Sequence, residues 1–263
     1  MHNEEATSSA QAEILKSVYT SVGADARFAQ DQLLPPEAMI LLRYHGSFAD
    51  RRVLDIGVGR GRTTLYLAAL TPRYVGIDYS ETMIHACKLR FPEARIEKQD
   101  VRDLSAFGDG TFDSVFAPSA VLDALSHADR LRAVREIHRV LAKNGLFAFS
   151  GHNRDCRERS RPRLEFSKDP IRLAYNALLY GKHVYNWSRV RRFEYACDEY
   201  LIGNDSAFEW RALHYYISQR SQTLQLESLG FRVLECLSMN GVKVSDNTAR
   251  HHNYKLHYVC NSS

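Results

Sequence analysis

Val53-Leu54-Asp55-Ile56-Gly57-Val58-Gly59-Arg60-Gly61-Arg62-Thr63-Thr64 decides the reading of this 263-residue chain. The apolar run Arg52–Ile56 reads as a buried strand, three glycines at alternate positions read as a tight turn, and a helix is expected over about Arg62–Leu70. Residues without a Cβ turn sharply and let a ligand approach the backbone, while the free N–H groups of the helix start face it. A dinucleotide-binding turn usually spaces its glycines G-x-G-x-x-G, whereas this one is G-x-G-x-G. A nicotinamide-binding domain is therefore an alternative that the spacing disfavours.

Working outward, the next two strands each end on a carboxylate. Tyr74–Ile77 leads into Asp78 within Gly76-Ile77-Asp78-Tyr79-Ser80, and Arg95–Lys98 leads into Asp100 within Gln99-Asp100-Val101. An acid at the tip of the second strand can accept hydrogen bonds from both hydroxyls of a ribose, and one at the third can bind an exocyclic adenine amine. Phe112–Ala117 and Leu146–Ser150 are further strands, with helices over Glu81–Leu89 and Ala128–Ala142. This alternation is that of a doubly wound α/β fold with a mostly parallel sheet, and it puts Asp55, Asp78 and Asp100 on one rim.

Toward the N-terminus, Gln11–Val22 carries an apolar stripe of Ile14, Leu15, Val18 and Tyr19, and Pro35-Pro36 opens a second helix through Arg43 that Gly46 is placed to stop. Toward the C-terminus, the 53 residues Leu164–Tyr216 hold 12 aromatic side chains, both tryptophans among them, against 12 Phe, 2 Trp and 14 Tyr in the whole chain. That concentration marks an insertion, read as helices Ile171–Tyr180 and His183–Arg192 and a strand pair Glu199–Ile202 and Arg211–Ile217. Ser218 begins a helix ending at Gly230, and Phe231–Leu237 and Tyr254–Cys260 form the last strands. The expected division is an N-terminal helical cap over 1–50, a core over 51–153 and 218–263, and an aromatic-rich lid and substrate-binding insertion over 154–217.

The net charge of +4 is too small and evenly spread to point to nucleic acid. The longest apolar run, Leu65–Leu70, falls far short of the about 20 residues of a membrane span. Met1-His2-Asn3-Glu4-Glu5 has no basic or apolar leader character, and Cys87, Cys156, Cys197, Cys236 and Cys260 form no C-x-x-C pair. A cytoplasmic protein with reduced thiols and no metal site is expected.

The glycine turn with three strand-tip acids resembles the class I S-adenosylmethionine-dependent methyltransferases of the small-molecule type, over about Arg51–Gly151. The resemblance implies a seven-stranded sheet with an antiparallel final hairpin. It places Gly57, Gly59 and Gly61 beside the methionine part of S-adenosylmethionine, with Asp55 helping to hold its ammonium. Asp78 would take the ribose, Tyr79 and Met83 would pack near the adenine or ribose, and Asp100 with Val101 would read the adenine. Ser119 is added to the cofactor set, and Tyr19 would close over it.

Leu141–Asn153 resembles members that end strand five in phenylalanine-serine-x-histidine-asparagine, and His214-Tyr215-Tyr216-Ile217 fits the same subgroup. Phe116–Asp123 departs from the asparagine-glycine pair expected after strand four, in the loop that normally faces the transferable methyl. His152 is the leading candidate base, with Asn153 and His214 beside it as catalytic candidates. Tyr175 and Tyr215 are the candidate substrate contacts, and Tyr180, Tyr185 and Trp187 could join Tyr175 around an apolar or cationic ligand. Asp123 and His127 read as a helix-capping and surface pair.

Methyl transfer to an O, N or C atom of a small molecule, releasing S-adenosylhomocysteine, is the function expected. One alternative is a cyclase of the same fold, forming azetidine-2-carboxylate and methylthioadenosine from S-adenosylmethionine alone. Another is a non-catalytic S-adenosylmethionine-sensing or RNA-binding module; Arg154, Arg157, Arg159, Arg161 and Arg163 are the argument for RNA or another anionic substrate. Interleaved Asp155, Glu158, Glu165 and Asp169 favour a solvated, salt-bridged loop there.

Overall fold

The fold is a ten-stranded, mostly parallel sheet with helices on its faces. It is taken from a computed structural model that describes residues 31–156, 161–244 and 253–263, together with Thr7, Ala10, Gln11, Glu13 and Ile14. Strands β1 (Val53–Ile56), β2 (Tyr74–Asp78), β3 (Ile96–Lys98), β4 (Phe112–Ala117) and β5 (Leu141–Asn153) lie in the order β3-β2-β1-β4-β5, all parallel. Helices α1 (Pro35–Arg43), α2 (His45–Phe48), α3 (Thr64–Leu70), α4 (Glu81–Arg90) and α5 (His127–Val140) run between or ahead of them. Gly46 lies inside α2 and does not stop the chain there. The proposed helix over Gln11–Val22, and Tyr19 within it, lie outside the described residues except for Gln11, Glu13 and Ile14.

Both faces of the sheet are covered, which is why β1 and β2 are apolar almost throughout and have no exposed residue. One face carries Leu54, Ile56, Val115, Phe147 and Phe149 against α5, and the other carries Val53, Phe116, Ala148 and Val259 against α1 and α2. Local signals set the helix starts. The Ser80 hydroxyl caps α4 by accepting from the Met83 N–H, and Ser126 caps α5 through the Asp129 N–H.

Three expectations need correction. The sheet has ten strands among the described residues, not seven. β9 (Phe231–Leu237) and β10 (Lys255–Ser262) form an antiparallel hairpin with β10 laid against β5, and the insertion adds β6 (Tyr195–Ala196), β7 (Tyr200–Asn204) and β8 (Leu213–Ile217). β8 pairs in parallel with the tip of β5, Tyr216 beside His152, where β10 has already placed Lys255 against His152 on the other edge. β8 therefore occupies the edge that β4 leaves free beyond Ala117. The strands of the insertion thus extend the sheet beyond the end of β4.

The second correction concerns α6 (Pro170–Val190), which is one helix where two were expected. Gly181 passes through its middle, where an added Cβ would meet nothing within 4 Å. The third concerns β5. It begins earlier than expected, and its register against β4 slips between Phe112 and Ser114 as the chain bulges through Asn144, whose φ is +60°. The helix α7 (Gln219–Ser228), capped by Ser218, precedes the final hairpin.

Candidate functional site

The carboxyl ends of β1, β2 and β4 converge on the glycine turn. Gly57, Gly59 and Gly61 have φ of +73°, +54° and +88°, so all three adopt a backbone that favours glycine. They are not equivalent. A Cβ at Gly57 would lie 2.5 Å from Val121 Cγ2 and one at Gly61 2.5 Å from Phe91 Cε2, whereas one at Gly59 would meet nothing within 4 Å. Two glycines let the turn pack on the protein, and the middle one leaves the open space that a ligand requires.

Asp78 is tied to that turn. One carboxylate oxygen accepts from the Gly59 N–H at 3.0 Å and the other from the Ser80 N–H at 2.9 Å. Burial raises its pKa, against the lowering effect of these backbone donors. Tyr79, next in sequence, is exposed, and Met83 is buried one turn into α4.

Asp55 lies fully buried behind the turn. One of its oxygens accepts from Thr63 Oγ1 at 2.7 Å and Tyr74 OH at 2.8 Å, while Oδ1 has no hydrogen-bond partner. Burial pushes its pKa up to about 6 despite those donors. The structure thus gives Asp55 a bracing task, joining β1, β2 and the start of α3, that the sequence reading did not assign.

Asp100 ends β3 in a fork with Arg102, its Oδ2 2.6 Å from Nη2, and Arg102 also reaches Asp129 at 3.0 Å. Burial raises the Asp100 pKa, but Arg102 outweighs it and holds the carboxylate below its ordinary value. Val101 packs against the core.

The loop after β4 is strained. Ser119 and Ala120 both have positive φ, +58° and +55°. The Ser150 hydroxyl accepts from the Ala120 N–H at 2.7 Å, and Arg62 donates to Ser119 Oγ at 2.7 Å. Arg62 is also paired with fully buried Glu37 of α1, Nη2 to Oε1 2.9 Å. Nothing in sequence spacing announced this Glu37–Arg62 link between cap and turn.

Further along the rim, Asp123 corrects an expectation. It is a buried hub, not a surface cap: the His152 backbone N–H and Nδ1 both bond its Oδ2, the latter at 2.9 Å, and Arg130 Nε lies 3.5 Å from Oδ1. Burial lowers the His152 pKa, overriding the opposite influence of Asp123. His127, the expected surface partner, stacks on Tyr200 at 4.2 Å with Nδ1 2.9 Å from Tyr215 OH.

Alternation along β8 separates neighbours in sequence. His214 and Tyr216 face His152, with ring centroids 5.1 Å away in each case, and both bond Asp205: His214 Nδ1 at 3.0 Å and Tyr216 OH at 2.5 Å. Burial raises the Asp205 pKa, yet His214 and Tyr216 hold it well below the ordinary value.

Tyr215, expected to contact substrate, points the other way. It is fully buried between Tyr200 and His127 beneath the Arg130 guanidinium, and its pKa is pushed up to about 12 by burial. Asn153, expected to be catalytic, is committed to backbone: Nδ2 donates to Asn253 O and Oδ1 accepts from the Asp155 N–H. Tyr175 is 60% exposed on α6, while Tyr185 and Trp187 lie beneath Arg189 and Arg191.

A family profile for a methyltransferase domain matches residues 54–149. An uncharacterized methyltransferase, sll0829 of Synechocystis, is 33% identical over 128 residues, 49% of this chain and 55% of the relative. The ubiquinone/menaquinone biosynthesis C-methyltransferase UbiE of Geotalea uraniireducens is 33% identical over 102 residues, 36% of this chain and 42% of the relative. The chain thus spans about half the length of the curated relatives it matches.

Among solved structures, the 1,6-didemethyltoxoflavin-N1-methyltransferase of Burkholderia thailandensis, which holds its substrate and S-adenosylhomocysteine, superposes with a TM-score of 0.59 at 15% identity. The match covers 100% of this chain and 90% of that one. The CcbJ methyltransferase of Streptomyces caelestis gives 0.58 at 16% identity, covering 90% and 94%. The fold is that of the class I S-adenosylmethionine-dependent methyltransferases. Within that fold, residues 54–149 are the part that the methyltransferase-domain profile matches. Among the described residues, no helix is long and apolar enough to cross a membrane.

Proposed function

We propose that the chain methylates an O, N or C atom of a small-molecule acceptor. The observation that carries this is the glycine turn, open at Gly59 and fixed by Asp78, inside a segment that matches a methyltransferase domain. When bound, S-adenosylmethionine supplies a methyl already made electrophilic by its sulfonium. The protein's tasks are to grip, align and exclude water. Gly57, Gly59 and Gly61 would admit the methionine end, Asp78 the ribose hydroxyls, and Tyr79, Met83, Asp100 and Val101 the adenine. Ser119, on the loop after β4 that Arg62 and Glu37 hold in place, would border the methyl.

The acceptor would stand before the tips of β4 and β5, roofed by β8, with His152 and His214 on its far side. Relatives named for carbon and for nitrogen methylation support methyl transfer and leave the accepting atom open. Nothing in the comparisons favours a cyclase or an RNA-binding module.

The test is incubation with S-adenosylmethionine, with and without a panel of phenol, amine and quinol acceptors, read by mass spectrometry. S-Adenosylhomocysteine that forms only with an acceptor is expected. Stoichiometric methylthioadenosine without one would replace this reading by cyclisation.

A further inference from the structure

A partly buried group of polar side chains gathers at the carboxyl end of β5. The sheet register sets Tyr216 and Lys255 on either side of His152, and His214, two residues before Tyr216, shares their face. Asp205, in the loop after β7, closes the group through its bonds to His214 and Tyr216. We propose that His152, His214 and Asp205 bind a divalent first-row transition ion, whose remaining positions take an oxygen or nitrogen of the acceptor.

The geometry supports three donors on one ion. One ligand atom from each residue lies within 4.8 Å of the other two. Donors bonded at about 2.1 Å and at right angles stand about 3 Å apart, and His214 Nδ1 is 3.0 Å from Asp205 Oδ2. Two imidazoles and a carboxylate suit zinc, iron or manganese better than calcium or magnesium, which prefer all-oxygen shells.

The surroundings also resemble those that aim metal ligands. Asp123 holds His152 by Nδ1, which directs Nε2 as the donor, and Asp123 is itself matched by Arg130. The Ala207 N–H donates to Asp205 Oδ1 at 2.8 Å, leaving Oδ2 toward the histidines. Lys255 is the opposing feature, because its ammonium interacts with Asp123 and Asp205 across the same space. It competes with a bound cation for their charge. The ion's use in catalysis rests on the methyl-transfer reading, but its binding does not.

The experiment therefore reads the metal itself. The purified full chain, stripped with a chelator, is titrated with Zn²⁺ by calorimetry and with Co²⁺ by visible absorption. One ion per chain is expected, with Co²⁺ bands of nitrogen and oxygen ligation and no thiolate charge-transfer band. His214→Ala and Asp205→Asn should each weaken Zn²⁺ binding by about 100-fold or more while S-adenosylhomocysteine affinity stays within about twofold. Lys255→Met should tighten Zn²⁺ binding severalfold.

No stoichiometric uptake by the parent chain, uptake that survives Asp205→Asn, or a thiolate band placing Co²⁺ on cysteine would overturn the proposal. Asp205→Asn preserves side-chain shape, so the test stands even where His214→Ala fails to fold. Loss of S-adenosylhomocysteine binding by the parent would instead count against the methyltransferase reading and leave the ion site to its own titration.

Discussion

Asp78 is aimed by the backbone around it, since the Gly59 and Ser80 N–H groups bond both of its oxygens. A carboxylate offers about four acceptor sites, more than these backbone donors use, which leaves capacity for a ribose hydroxyl. Asp78→Ala should weaken S-adenosylhomocysteine binding by about 1.5–3 kcal/mol, the range for hydrogen bonds to a charged group, and unchanged affinity would refute the assignment. The glycines give a paired test. Gly61→Ala drives a Cβ into Phe91 and should lower stability by about 1–3 kcal/mol more than Gly59→Ala, in which only the left-handed backbone resists. Gly59→Ala should instead lose cofactor affinity; equal urea midpoints for the two variants would contradict this division of labour.

Asp55 makes a prediction in pH. Its folded-state pKa, about 6, lies above the ordinary 3.8, so the folded chain binds its proton more tightly than the unfolded chain does. Its contribution to stability is therefore greatest below about pH 4 and declines as pH rises to about 6, by about 3 kcal/mol in all. Asp55→Asn should flatten stability between pH 4 and 6.5 in a urea-unfolding series, and a profile parallel to the parent would contradict the buried charge. Glycines and strand-tip acids were legible because the chemistry fixes their spacing. Asp123 and Asp205 were not, because one sits in a single 3-10 turn (Val121–Ala124) and the other in a loop, neither with any periodicity to read, and Tyr215 was misread because adjacency to His214 conceals that the strand turns it to the opposite face.

At the scale of elements, sequence pattern located β4 and β9 to the residue and the other core strands to within a few residues. Runs of apolar residues between helices leave little choice of where a strand can be. The pattern failed where tertiary pairing decides. β5 continues to Asn153 because β10 and β8 each offer it a partner edge, which no local propensity records. Gly181 read as a break between helices, but it faces open space in the middle of α6 and costs only helix propensity. Gly181→Ala should therefore raise stability by about 0.5–1 kcal/mol where α6 unfolds with the rest, measured as a higher midpoint on thermal melting. A lower midpoint would show that the helix interior requires the glycine.

Across the whole molecule, the division between what was legible and what was not follows the division of labour proposed here. The half that would hold the cofactor obeys rules shared by every doubly wound sheet, so residues 51–151 announced it. The half that would choose the acceptor is built from β6–β8, the hairpin β9–β10 and the polar face they share with His152, and its geometry depends on long-range register. Lys255 and His257, two residues apart on one face of β10, belong to that half and carry no sequence signal. Burial takes the His257 pKa down to about 3, helped by the charges of Lys255 and Arg62.

The central claim is that the turn at residues 57–61 and the acid at the tip of β2 hold an adenosyl ligand. Calorimetric titration of the purified chain with S-adenosylhomocysteine tests it most directly. The account predicts saturable one-to-one binding that Asp78→Ala weakens by about 10-fold or more. Absence of binding to the folded parent chain, or affinity indifferent to Asp78, would contradict it.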